Sequence, residues 1–148
     1  MQKSPAVSVM MCVYNSERYL PKAIEGILKQ TFPDFELVAA DDGSTDHSID
    51  ILQNYARQDT RISLLAGGHA GLVATRNRAL AASRGEFIAI ADSDDISLPA
   101  RLETQVGFLR RHPQFVAVGC SRKLIDSDGA PICNLHAAGR ARDARARH

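Results

Sequence analysis

Three carboxylates stand within four residues at Asp92-Ser93-Asp94-Asp95, directly after the apolar run Glu86–Ala91 (EFIAIA). Carboxylates crowded at one place repel, so such a group either raises a pKa or holds a cation. An oxygen-only donor set suits Mg2+ or Mn2+, ions that keep several waters and bind substrate phosphates as well. The chemistry implied is a metal bridge from protein to a diphosphate. A solvated turn capping the helix that opens near Pro99 is the plainer alternative. A second carboxylate pair, Asp41-Asp42, follows an earlier apolar run and favours the first reading. A carboxylate at a strand end can accept hydrogen bonds from a nucleobase imide or a ribose hydroxyl, while Gly43 permits a tight turn into the next helix. Asp42 is the binding candidate of this cluster, and Asp46 a helix cap.

Other chemistries find no support. Gly67-Gly68-His69-Ala70-Gly71 does not match GxGxxG, and GxxxxGK[ST] does not occur, which removes a dinucleotide fingerprint and a P-loop. Arg76, near the start of the next helical segment, either reaches a phosphate or decorates an exposed face. His47, His69, His112, His136 and His148 show no zinc spacing and no obvious partner, so none is assigned a role. No GxSxG elbow or Cys/His nucleophile pattern points to covalent hydrolase chemistry. Cys12, Cys120 and Cys133 are odd in number and irregularly spaced, which implies neither a disulfide framework nor a CxxC metal site and suits a reducing cytosol.

Short apolar runs alternate with segments of helical period. Val7–Val13 reads as a strand, and residues 18–30 place Leu20, Ile24, Ile27 and Leu28 at helical spacing. Thr31-Phe32-Pro33-Asp34 breaks that helix, because proline cannot continue it. Strands are then expected at 35–40, 62–65 and 86–91. Helices are expected after Ser44-Thr45-Asp46, after the glycine turn, and from Pro99 to Arg111. Residues 115–119 and 122–125 look like further strands, with Asp126-Ser127-Asp128-Gly129 as a turn. Strands alternating with helices of about 12 residues indicate βαβ units and a mostly parallel sheet. The loops after its strands form the usual ligand crevice. Tyr14-Asn15, Asp41-Asp42 and Asp92 to Asp95 lie far apart in sequence, yet such a sheet brings them to one edge. An uncovered strand ending at Ile125 would leave an edge open to another chain, which predicts self-association.

Length and composition set the outer bounds. The 148 residues, 45% of them apolar, suffice for a single core and are too few for two full domains. Eighteen Lys+Arg against 17 Asp+Glu leave a formal net charge of +1, which argues against a nucleic-acid groove or a polybasic membrane patch. No window reaches the roughly 18 uninterrupted apolar residues of a membrane span. Ala6–Val13 reads as a buried strand rather than a signal peptide. The expectation is one cytoplasmic α/β domain over residues 1–133. Residues 134–148 form an Arg/Ala-rich tail with nothing a sheet could bury, and are expected to be disordered.

With these elements in place, the sequence resembles family 2 glycosyltransferases. VSVMMCVYNSERYL, LKQTFPDFELVAADDGSTDHS and GLVATRNRALAASRGEFIAIADSDDISLP run in the family's order, and the likeness covers roughly Pro5 to Gly129. It implies the GT-A fold, a Rossmann-like three-layer α/β/α arrangement on a mostly parallel sheet. It also implies a nucleotide-sugar donor of UDP or GDP type, Mn2+ or Mg2+, a glycan or lipid-linked acceptor, and inversion at the anomeric carbon. A place at the inner face of the membrane is compatible with such an acceptor.

Carried over by position, Tyr14 resembles the residue that packs on the base, with Cys12 and Val13 on the same donor edge. Asp42 resembles the base-binding aspartate. Asp92 and Asp94 resemble the two acids of a DxD motif, the first nearer the ribose and the second on metal and diphosphate. Arg76 and Asn77 match a block that lines the donor pocket. The departure lies beyond Gly129, where only Asp143 remains as a carboxylate and no acceptor-side block follows. The resemblance therefore implies a donor half, with the general base lacking.

Overall fold

The run VSVMMCV forms β1 (Val7–Val13), buried throughout except at Cys12. The structure, a computed structural model, describes residues 4–135. Helix α1 (Leu20–Leu28) begins with proline at its first turn, where the missing N–H costs nothing. Its buried stripe of Leu20, Ala23, Ile24 and Ile27 has the spacing of one helix face. Each large aliphatic chain there contributes on the order of 1.5–3 kcal/mol by leaving water. Strand β2 (Phe35–Asp41) is buried at every residue, as a central parallel strand requires. Then follow α2 (Ser48–Gln58), β3 (Ile62–Leu65), α3 (Leu72–Ala82), β4 (Phe87–Asp92) and α4 (Arg101–Arg111).

The four strands form one parallel sheet in the order β3-β2-β1-β4. The crossovers through α1 and α2 step one way across the sheet, and the crossover through α3 returns past both. Right-handed connections then put α3 on the face opposite α1 and α2, giving the expected three layers. On the α3 side, Ala79 packs in a cluster with Met10, Val38 and Ala40, flanked by Leu65 and Ala82. Small residues on α3 let it lie close to the sheet.

The chain divides after Leu102 into two units. The second contains most of α4 and a two-stranded antiparallel hairpin, β5 (Arg122–Ile125) with β6 (Pro131–Leu135). Asp126 closes the hairpin by accepting the Asp128 and Ala130 amides at 3.0 and 2.8 Å, so the expected turn is present. Three expectations are corrected here. Residues 115–119 form no strand. Residues 122–125 pair locally with β6 through that turn in a separate two-stranded sheet, and among the described residues the edges of the parallel sheet are β3 and β4. The open edge expected after Ile125 is therefore not an edge of this sheet. Asn134 and Leu135, expected to belong to the disordered tail, are instead the last residues of β6, and residues 136–148 lie outside the described residues. Among the described residues, no helix is long and apolar enough to cross a membrane.

Candidate functional site

Strand register brings the candidate residues together. Cys12 is the partner of Ala40 on one side and of Asp92 on the other, and Val13 is the partner of Asp41. Beside Ala40, β3 ends at Leu65. The loops leaving all four strands therefore open at one edge.

Hydrogen bonds lace these loops. Asn15 sits at φ +48°, in the left-handed region, and its Oδ1 accepts the Thr45 amide at 2.8 Å. Its own amide donates to Ser44 Oγ at 3.1 Å. Asp46 accepts the Ser48 amide at 2.9 Å and the Glu17 amide at 3.0 Å, so it caps α2 and also ties down the loop after β1. Burial pushes its carboxyl up, but hydrogen bonds from Ser48 and Glu17 outweigh that and hold it low. Ser16 and Ser93 share a hydroxyl–hydroxyl bond of 2.8 Å that joins the loops after β1 and β4.

A cleft of about 150 Å3 lies at this edge, lined by Cys12, Val13, Tyr14, Asp42, His69, Leu72 and Thr75. Its walls are apolar apart from Asp42, His69 and Thr75. The Tyr14 and His69 rings face each other with centroids 4.5 Å apart. Asp42, 4% exposed, gathers the turn before α3 around itself. Its Oδ1 accepts Thr75 Oγ1 at 2.6 Å and the Ala70 amide at 2.8 Å. Its Oδ2 accepts the Gly71 amide at 3.0 Å, with His69 Nδ1 also at 3.0 Å. The Thr75 hydroxyl first, and then the Ala70 amide, hold the Asp42 carboxyl below the usual carboxylate range. Burial pushes the Cys12 thiol up, partly offset by the Arg76 guanidinium beside it.

Arg76 stands at the rim, its guanidinium 3.9 Å from Asp92 Oδ1. Asp92 and Asp94 are both exposed. Among the described residues no three His, Cys, Asp or Glu side chains gather into a metal cage. Two exposed carboxylates still fit a hard cation that takes its other ligands from water and phosphate. Cys12, Val13, Tyr14 and Asp42 line the cleft, Arg76 and Asp92 flank it, and Asn77 is exposed on α3 outside the lining.

His69, Leu72 and Thr75 are the lining residues that sequence reasoning missed. None sits at a strand end in sequence. The one available signal is that the loop after β3 must open beside the loop after β2. Arg78, unlike Arg76, turns inward and donates to the Asp41 carbonyl.

The model of a family described as "Glycosyl transferase family 2" matches residues 8–132. EpsE of Bacillus subtilis strain 168, named as a glycosyltransferase, is 40% identical over 131 residues, covering 87% of this chain and 47% of EpsE. Residues 1–349 of S. aureus TarS, solved in complex with UDP-GlcNAc, are 33% identical with a TM-score of 0.64, covering 72% of this chain and 32% of that one. The mannosyltransferase PcManGT of Pyrobaculum calidifontis, solved with GDP-Man and Mn2+, is 28% identical with a TM-score of 0.68. That match covers 80% of this chain and 36% of PcManGT. The chain thus spans less than half the length of each of these relatives.

Proposed function

The chain belongs to glycosyl transferase family 2, and from that premise we propose that it binds the nucleoside diphosphate sugar donor of a glycosyl transfer. The observation that carries this is the cleft at the strand ends, apolar and ring-walled inside, with Arg76 and the exposed Asp92 beside it. A planar base enters between the walls made by Val13, Tyr14 and Leu72, with Cys12, Asp42 and Thr75 at the back. The ribose lies toward Asp92. The diphosphate lies toward Arg76, and Asp94 would hold a divalent ion, Mn2+ or Mg2+, that neutralises it. Asn77 belongs to the outer rim. UDP-GlcNAc in TarS and GDP-Man with Mn2+ in PcManGT support a donor of UDP or GDP type and a metal.

In the transfer, an acceptor hydroxyl of a glycan or lipid-linked sugar displaces the nucleoside diphosphate with inversion at the anomeric carbon. Negative charge grows on the departing phosphate, and a bound divalent ion supplies the Lewis-acid charge that offsets it. Arg76 adds a fixed positive group at the same rim. None of the described residues is assigned as the general base that such a step needs.

A second reading keeps donor binding and assigns the base and acceptor site to another chain. This reading takes up the base that none of the described residues is assigned to supply; the chain spans less than half the length of EpsE and of the TarS fragment. Both readings share one test. Titration calorimetry with UDP and GDP, with and without Mn2+, is run on chain whose folding a circular-dichroism melt has established. Metal-dependent binding that disappears in Asp94→Ala is the expected result. A folded chain that binds neither nucleotide ends both readings, and donor turnover without any added protein ends the second.

A further inference from the structure

The loop after β4 carries Asp92, Asp94 and Asp95, and carboxylates crowded in this way push one another apart. The backbone bond across it, from the Asp95 amide to the Asp92 carbonyl, is long at 3.3 Å. A stronger restraint comes from Arg101, the first residue of α4. Its Nη2 donates to the Ile90 carbonyl at 2.7 Å and its Nη1 to Ser97 Oγ at 3.0 Å. One planar fork thus bridges the two residues from which the acidic loop springs.

Both acceptors are themselves fixed. The Phe87 amide donates to the Ala6 carbonyl at 2.9 Å, and successive residues of a strand turn their backbone groups to alternate sides. Ile90 therefore presents its carbonyl away from β1, on the side where no strand pairs with β4 among the described residues. Ser97 is buried, and a Cβ on Gly26 of α1 would stand 3.0 Å from its backbone nitrogen. Arg101 Nε, by contrast, is buried without a hydrogen-bond partner among the described residues. An arginine that merely decorated a surface would turn that donor to water. This one keeps its place although an unpaired buried donor is unfavourable.

We infer that Arg101 is a positioning residue for metal binding: it clamps the two roots of the acidic loop and so holds Asp92 and Asp94 at the spacing a divalent ion needs. This rests on the proposal that Asp94 holds Mn2+ or Mg2+ beside the donor's diphosphate. Charge alone has the opposite sign. A guanidinium next to the loop opposes a second cation, so its removal would tighten metal binding, whereas loss of a clamp loosens it.

The test is calorimetric titration of the purified full chain with UDP over a series of Mn2+ concentrations. Hydrogen exchange is followed on the same variants without metal. Arg101→Met keeps a long side chain and removes every donor. The Mn2+ concentration for half-maximal UDP binding should rise about tenfold, the effect of roughly one net hydrogen bond. UDP affinity should return to the wild-type value once Mn2+ is raised further. Ser97→Ala removes one arm, keeps the charge, and should raise the Mn2+ requirement by a smaller factor. Arg101→Lys lacks the planar fork and should recover only part of the loss. Exchange in Arg101→Met should quicken over residues 92–97, with β1 and β2 protected as in wild type. An unchanged or lowered Mn2+ requirement in Arg101→Met overturns the inference, as does full recovery in Arg101→Lys. A UDP deficit that no Mn2+ concentration restores, with exchange faster throughout, overturns it in favour of plain destabilisation. A folded wild type whose UDP binding ignores Mn2+ removes the metal proposal itself, and this inference with it.

Discussion

Asn15 holds Thr45 in place from a left-handed backbone: at φ +48° its Oδ1 accepts the Thr45 amide at 2.8 Å and the Thr45 hydroxyl at 3.3 Å. The loop after β1, which carries Tyr14, is thereby fixed to the loop after β2, which carries Asp42. Asparagine tolerates this conformation better than other side-chain-bearing residues. Asn15→Ala keeps the strained φ and removes the anchor, so it should cost about 1–3 kcal/mol in urea unfolding. Asn15→Gly relieves the strain but not the lost bonds, and should fall between alanine and wild type. Equal stability of the two variants would show that the backbone conformation carries no cost.

Gly43 cannot carry a side chain where it stands. Its φ is +73°, and a Cβ would lie 2.5 Å from the His69 backbone nitrogen. Gly43→Ala therefore combines a left-handed penalty of about 1 kcal/mol with a backbone clash that only movement of the 67–71 turn can relieve. The expected outcome is a lowered melting temperature together with weakened nucleotide binding, because that turn carries His69. A variant that melts lower yet binds with wild-type affinity would separate Gly43 from the cleft.

Glu36 gives the fold an acid-sensitive element far from the cleft. It is buried on β2, accepts Ser8 Oγ at 2.6 Å, and takes the Arg84 amide at 2.9 Å and the Arg84 guanidinium at 3.0 Å. Burial pushes its carboxyl up, but the hydrogen bonds from Arg84 and Ser8 prevail and hold it low. A carboxyl depressed in the folded state contributes stability that is present above the unfolded value of about 4.3 and is lost as pH falls through the lower folded value. Glu36→Gln should thus be less stable than wild type near neutrality, by about 1–2 kcal/mol, since the Arg84 side chain is largely solvent-screened. The gap should narrow as unfolding is followed below pH 4.3. A gap that stays constant over that range would mean that the charge contributes nothing.

Register made the site legible in the sequence, and the absence of register hid the rest. Val7–Val13 and residues 35–40 stand out as continuous apolar runs because those two strands are buried on both faces, and Glu86–Ala91 stands out as well although β4 leaves Ile88 and Ile90 exposed. Each ends in a polar group, and a parallel sheet brings such ends to one edge, which places Tyr14, Asp42 and Asp92 together from sequence alone. His69 and Thr75 were not legible. They reach the cleft through a turn wrapped around Asp42, and a turn leaves no periodic pattern. The 115–119 segment failed for a related reason: a five-residue apolar stretch looks like a strand whether or not a partner exists. Pairing of 122–125 with 131–135, rather than with the sheet, was set by the Asp126 turn, a local closure that outcompetes a distant edge.

Gln30 is the fastening between α1 and the segment that carries the acidic loop into α4. Its Nε2 donates to the Gly26 carbonyl at 3.0 Å and to the Leu98 carbonyl at 2.7 Å, while its Oε1 accepts the Leu102 amide at 2.9 Å. The side chain thus satisfies one of the orphan donors at the start of α4 and a loop carbonyl at the same time. Thr31 continues the clasp, its amide donating to the Pro99 carbonyl at 2.9 Å. Gln30→Leu has nearly the same volume and none of these bonds, so it leaves the buried Leu102 amide unpaired, at a cost of about 1–3 kcal/mol. Beyond lowered stability, hydrogen exchange should accelerate at the Leu102 amide and through residues 92–102, and Mn2+-dependent binding should weaken as Asp94 loses its support. Gln30→Glu keeps the acceptor for Leu102 but loses both donors, so it should free Leu98 while protecting Leu102. Protection of the Leu102 amide and of residues 92–102 equal to wild type in Gln30→Leu would show that this segment is held without the clasp.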